Sequence, residues 1–172
     1  MADKHVFQPI PLELYEANPF EKIGKEWFAI TVKDGEKVNA MTASWGGLGV
    51  MWGKNVAFVV VRESRYTHEF LEKADRFSMT FFDMPHYKST LNYLGKMSGR
   101  IEDKIANARL HVDYDGDTPY IDEGKEIFIC RKLCNMPMDA EHYLNAEDLK
   151  KWYADKDYHT LYIAEIEKIM CR

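Results

Sequence analysis

Residues 26–44 read "EWFAITVKDGEKVNAMTAS", two runs in which apolar or β-branched residues alternate with polar ones on either side of Asp34-Gly35. A period of two on both sides of a strong turn signal predicts a β-hairpin. "KNVAFVVVR" (54–62) and "RFSMTFF" (76–82) are dense apolar runs of strand length, which predicts buried strands. Between them, "SRYTHEFLEKAD" changes period: Tyr66, Phe70, Leu71 and Ala74 form a helical stripe, with Ser64 expected at the N-cap. "YKSTLNYLG" predicts a short helix ended by Gly95, and "NAEDLKKWYAD" an N-capped helix. "KEIFICRKL" and "HTLYIAEIEKI" are late strands. The resulting order is mostly β with interposed helices, and it lacks the repeated βα rhythm of a doubly wound sheet. No repeat, linker or low-complexity stretch divides the chain, so residues 1–172 are expected to form a single domain.

Composition narrows the partners. Hydrophobic residues make up 46% of the chain and aromatics 13%, which favours a buried core over disorder. Asp and Glu outnumber Lys and Arg by 28 to 23, with no block of basic residues, so nucleic acid is not an expected partner. The opening "MADKHVFQPIPLEL" has no apolar core of signal length, and no apolar run is long enough to span a bilayer. A cytoplasmic protein with no membrane partner is the expectation. The three cysteines accord with reduced thiols; Cys130 and Cys134, four apart in "FICRKLC", are expected on one face of a strand as small apolar residues, with no metal site.

Hydrolytic and nucleotide-loop chemistry find no support. "GGLGVMWGK" fails as a phosphate loop because Leu48 stands at the first glycine position and Asn55 follows Lys54. "HEFLE" lacks the second histidine of a zinc protease, and Ser44 in "TASWG" is not at a nucleophile elbow. "VVVRESRYTHEF" carries more information, since a buried strand delivers Arg62, Ser64, Arg65 and Thr67 to the first turn of a helix. That grouping suits a phosphate, and it equally describes a capped helix with solvated arginines. "VNAMTASWGG" is either an ordinary strand exit or the polar edge of a pocket for a flat aromatic ligand. The Ser98-Gly99-Arg100 turn, with Lys104 after it, reads by itself as a solvated turn with local ion pairs. His159, at the entry to the last strand, is either a hydrogen-bonded surface group or a functional one.

Together, "NAMTASWGG", "RESRYTHEF", "FSMTFF", "SGRIEDK" and "DYHTLYIAEIE" resemble, in order, the flavin reductase-like, FMN-binding split-barrel family in its flavoredoxin-like branch, from about Glu26 to Glu167. The resemblance implies a Greek-key β-barrel with added helices, working as a homodimer with FMN near the subunit interface. It places Asn39, Met41, Thr42, Ala43, Ser44 and Trp45 along the flavin ring and ribityl chain. Arg62, Ser64, Arg65 and Thr67 fall at the phosphate, and Ser98, Gly99 and Lys104 near the flavin. His159 matches a histidine facing the cofactor or the nicotinamide, the candidate catalytic residue. Asp157-Tyr158 stands where relatives often carry Gly-Asp, which narrows the space for a nicotinamide. Ile101 replaces an Asp usual after Ser-Gly-Arg, which bears on how Lys104 is oriented.

The implied function is an oxidoreductase in which NADH or NADPH passes hydride to flavin N5 and electrons leave to a second flavin, an iron centre or a partner protein. The alternatives are an electron carrier with bound FMN, reduced by a redox partner without useful nicotinamide turnover, and a flavin- or haem-binding module without turnover.

Overall fold

The computed structural model describes residues 6–172. Its strands are β1 (Gln8–Ile10), β2 (Phe28–Asp34), β3 (Lys37–Ala43), β4 (Gly46–Met51), β5 (Lys54–Arg62), β6 (Arg76–Phe81), β7 (Val112–Asp115), β8 (Thr118–Ile121), β9 (Glu126–Pro137) and β10 (His159–Cys171). The helices are α1 (Pro19–Glu21), which runs into a π turn at Lys22–Glu26, then α2 (Tyr66–Lys73), α3 (Lys88–Lys96), α4 (Lys104–Asn107) and α5 (Ala146–Trp152).

Eight strands form one antiparallel sheet in the order β3-β2-β6-β9-β10-β5-β4, with β1 added on β10; β7 and β8 pair separately. β3 and β4 lie at opposite ends of this path, yet only Ser44 and Trp45 separate them in the chain. In a flat sheet six strand spacings would hold those ends about 29 Å apart, while the short link reaches roughly 10 Å. The sheet must therefore roll up, leaving a gap between β3 and β4. This is a split barrel of mostly β structure, with Greek-key topology, as the sequence led us to expect.

Inside the barrel lie Phe28, Ile30, Val59, Val61, Phe77, Met79, Phe81, Phe128 and Tyr162, inward residues of five strands, together with the buried face of α2. A second apolar layer, with Ala29, Ala40, Leu91, Leu94 and Ile105, seats α3 and α4 on the outer side of β2 and β3. Burying such side chains stabilises the fold by about 1.5–3 kcal/mol each.

Several local expectations are corrected. Residues 46–51, to which the hydrophobic pattern assigns no element, form β4, joined to β5 by the two-residue loop Trp52-Gly53 with φ of 52° and 70°. Gly95 does not end its helix: α3 runs on to Lys96, and Gly95 is the small residue that fits against Thr42. The N-cap of α2 is Arg65, in an extended conformation, because Ser64 is drawn to a carboxylate described below. Cys130 and Cys134 do not share a face. In the pairing of β9 with β10, Leu133 is an extra residue between Lys132 and Cys134, so the parity flips; Cys130 is fully buried and Cys134 only partly.

Candidate functional site

Where β3 ends and the chain turns towards β4 lies a pocket of about 280 Å³. Its first wall is the end of β3 and the link that follows, Met41 to Trp45. Met41 and Ala43 turn into the buried core, and the Thr42 hydroxyl donates to the Leu91 carbonyl of α3, tying wall to helix. Gly46 makes the sharp exit possible. Its φ is +138°, and a Cβ there would lie 2.1 Å from the Phe58 carbonyl oxygen of the neighbouring strand. No other residue fits that approach.

The opposite wall comes from the ends of β5 and β10. His159 is 7% exposed, and its Nδ1 lies 2.7 Å from the Tyr153 hydroxyl. Burial, and secondly the Arg62 charge, lower its pKa to about 4, so the imidazole is neutral at physiological pH. The Trp45 ring lies 5.3 Å from that imidazole at 40°, and the Trp152 ring meets Trp45 edge-on at 4.9 Å. Three aromatic rings thus line one pocket.

Two cations lie close together, Arg65 at this pocket and Lys104 in the cavity beside it. Arg65 is half-buried against the pocket, and its guanidinium has neither a hydrogen bond nor an ion pair among the described residues. Burial lowers its pKa. Lys104, 3% exposed, donates to the Leu94 and Met97 carbonyls at the C-terminal end of α3, at 2.9 and 3.1 Å. Burial first, and then the charge of Arg65, bring its pKa down to about 8. Neither cation has a carboxylate in ion-pair range among the described residues.

A family model described as "Flavin reductase like domain" matches residues 21–172. The chain belongs to the flavin reductase-like family. Solved structures agree on the fold. An FMN-binding domain of a flavin reductases-like enzyme from Shewanella baltica OS155 superposes with a TM-score of 0.70 at 14% identity, over 98% of this chain and 78% of that one. Flavoredoxin of Desulfovibrio vulgaris (Miyazaki F) gives 0.68 at 19%, over 95% and 77%. The styrene monooxygenase flavin reductase from Pseudomonas putida S12 gives 0.61 at 15%, over 84% and 77%. No curated protein sequence matches the chain.

In this flavin reductase-like chain the sequence-predicted residues divide into groups. Met41, Thr42, Ala43, Ser44, Trp45, Arg62, Arg65 and His159 meet around the pocket. Asn39, Gly99 and Lys104 instead line a neighbouring cavity of about 740 Å³. Gly99 is packed so tightly there that a Cβ would lie 2.1 Å from Asn39 Oδ1. Thr67 is buried, and its hydroxyl accepts from Asn39 Nδ2 at 2.8 Å, pinning α2 to β3. Ser98 accepts the Arg100 N–H in its own turn. Ser64 gives its backbone N–H, at 3.1 Å, and its hydroxyl to the Asp157 carboxylate. Arg62 lines the pocket but donates to the carbonyls of Asp157 and Trp152, at 2.7 and 3.0 Å.

Sequence reasoning missed Trp152, Val60 and Gly95 as lining residues and Tyr153 and Asp157 as their supports. One signal was available. Trp152 is a large aromatic closing an otherwise polar helix in which no residue is buried.

Proposed function

We propose that the chain, as one flavin reductase-like domain, binds FMN in the pocket between the end of β3 and the ends of β5 and β10, and works as an NAD(P)H-dependent oxidoreductase of the flavin reductase type. The observation that carries the reading is the Arg65 guanidinium, half-buried at the pocket with no hydrogen bond and no carboxylate in ion-pair range among the described residues, and close enough to the buried Lys104 for the two charges to interact. Withdrawing a cation from water without a close counterion is costly; Asp157 and Glu102 offset part of that cost from beyond ion-pair range, and a phosphate dianion would offset more of it. The rings of Trp45 and His159 suit a flat apolar ligand attached to that phosphate.

Bound FMN would supply a hydride acceptor and then release its electrons singly or in pairs. The residues do the rest. Arg65 and Lys104 hold the anionic end. Thr42 to Trp45 present small side chains and backbone groups to the ring edge, and Trp45 shields one face from water. Neutral His159, held by Tyr153, orients the ring without adding a positive charge beside Arg62. NADH or NADPH is the proposed donor, and a second flavin, an iron centre or a partner protein the acceptor. Val50 of edge strand β4, 70% exposed, with exposed Trp52 just beyond it, supports a homodimer. Free thiols, and the lack of any helix long and apolar enough to cross a membrane among the described residues, accord with a cytoplasmic setting.

Titration with FMN, followed by flavin fluorescence, tests binding; quenching that saturates is the expected result, and an unchanged signal refutes the reading. Anaerobic addition of NADH or NADPH to the loaded protein then bleaches the flavin band. A second reading, an FMN-carrying electron carrier, is favoured by Trp152 standing inside the pocket, where it leaves little room for a donor ring. Bleaching by a chemical reductant but by neither nicotinamide would select it.

A further inference from the structure

The segment between β9 and β10 is a strap whose helix, α5, buries no residue of its own. At its end the strap is fastened to the barrel. Tyr153 is bound to His159, Arg62 holds the carbonyls of Trp152 and Asp157, and the Asp157 carboxylate holds the Ser64 N–H and hydroxyl. From this anchored end the Trp152 indole projects to the pocket, edge-on to Trp45 and still 43% exposed. The volume it leaves, about 280 Å³, lies below the roughly 300–1,000 Å³ usual for ligand pockets. The indole is one of the side chains that bound this space.

Hydride transfer needs donor and acceptor atoms about 3–3.5 Å apart, so a nicotinamide must lie flat against any ring held in the pocket. Trp152, which lines the pocket and is 43% exposed, stands on the side from which such a ring would enter. We propose that Trp152 is a specificity-determining gate: it excludes the nicotinamide ring until its indole swings outward, while the anchors at Arg62, Tyr153 and Asp157 keep the strap in place. The inference rests on the flavin-binding reading above. The indole is well suited to the movement, because it is already partly in solvent and its helix has no buried side chain to extract.

The test compares the wild-type chain with Trp152→Ala and Trp152→Phe, each shown by thermal melting to be folded. Three quantities are measured: FMN affinity by fluorescence quenching, affinity of the flavin-loaded protein for oxidised NAD, and the anaerobic rate of flavin reduction. Dithionite, a small reductant that need not stack, serves beside NADH and NADPH. The expected result for Trp152→Ala is a tenfold or greater rise in the reduction rate by at least one nicotinamide and tighter binding of oxidised NAD. Trp152→Phe falls between, the dithionite rate is unchanged, and FMN affinity moves less than tenfold. Nicotinamide rates that stay level or fall, or a rise shared equally by dithionite, overturn the gate while leaving flavin binding intact. Absence of FMN quenching in the wild-type chain instead removes the reading on which the gate rests.

Discussion

Arg62 and Arg65, three positions apart, do different things. Arg62 spends its donors on carbonyls of the strap, whereas Arg65 keeps all of its own. Replacing Arg65 with Gln is therefore expected to weaken FMN binding at least tenfold and riboflavin binding hardly at all, because riboflavin lacks the phosphate; parallel fluorescence titrations check this. Lys104 adds a proton signature. A bound dianion raises a lysine pKa that now lies near 8, so FMN binding between about pH 8 and 9 should take up part of a proton. Calorimetric titrations in buffers of different ionisation enthalpy measure it.

His159 couples the same pocket to acid stability. Its folded pKa of about 4 lies below the unfolded 6.5, so the unfolded chain binds the proton first. The stabilisation is fully present above about pH 6.5 and is lost as pH falls towards 4, on the order of 3 kcal/mol in all. Thermal melts between pH 7 and 4.5 should fall less steeply for His159→Gln than for the wild-type chain. At this scale the sequence showed which residue types gather near the pocket, but not their partners: Ser64 and Asp157 are 93 positions apart and Arg62 and Asp157 are 95 apart.

At the scale of elements, local pattern was informative where the turn chemistry was ordinary. Asp34-Gly35 announced its hairpin, and Gly35 takes the φ of +58° that the tight loop requires. The same Asp-Gly signal at Asp115-Gly116 marked the β7–β8 hairpin, which the reading by hydrophobic runs passed over because those strands are only four residues long. β4 was harder to see. Three glycines dilute its apolar pattern, and Trp52 is an unusual residue for a left-handed turn position. Gly46 links this strand to the site. Replacing it with Ala forces a Cβ onto the Phe58 carbonyl at a strained φ, with an expected loss of about 3 kcal/mol. Denaturant unfolding should show the loss, together with weaker FMN binding because the Ser44-Trp45 link moves.

For the whole molecule, β9 and β10 are the long central strands, paired on both sides, whereas α5 hangs on its C-terminal anchors. Amide hydrogen exchange is expected to be slowest in β9 and β10 and fast in α5. Arg62→Ala should accelerate exchange over residues 152–157 at least tenfold while leaving the protection of β9 and β10 intact. A uniform rise would mean that Arg62 supports the barrel rather than the strap.

What the sequence determined by itself is local: which runs bury apolar faces, where chain reversals with left-handed glycines fall, and the ordered motifs that mark a flavin reductase-like chain. Those properties depend on neighbours a few positions apart, so a linear reading reaches them. Only the tertiary structure decided that the barrel closes through two residues, that the Arg65 side chain makes no hydrogen bond among the described residues while Arg62 is used, and that Trp152 lines the pocket. Each depends on groups brought together from distant parts of the chain, where the cost of burying a charge or a ring is set by whatever happens to lie opposite.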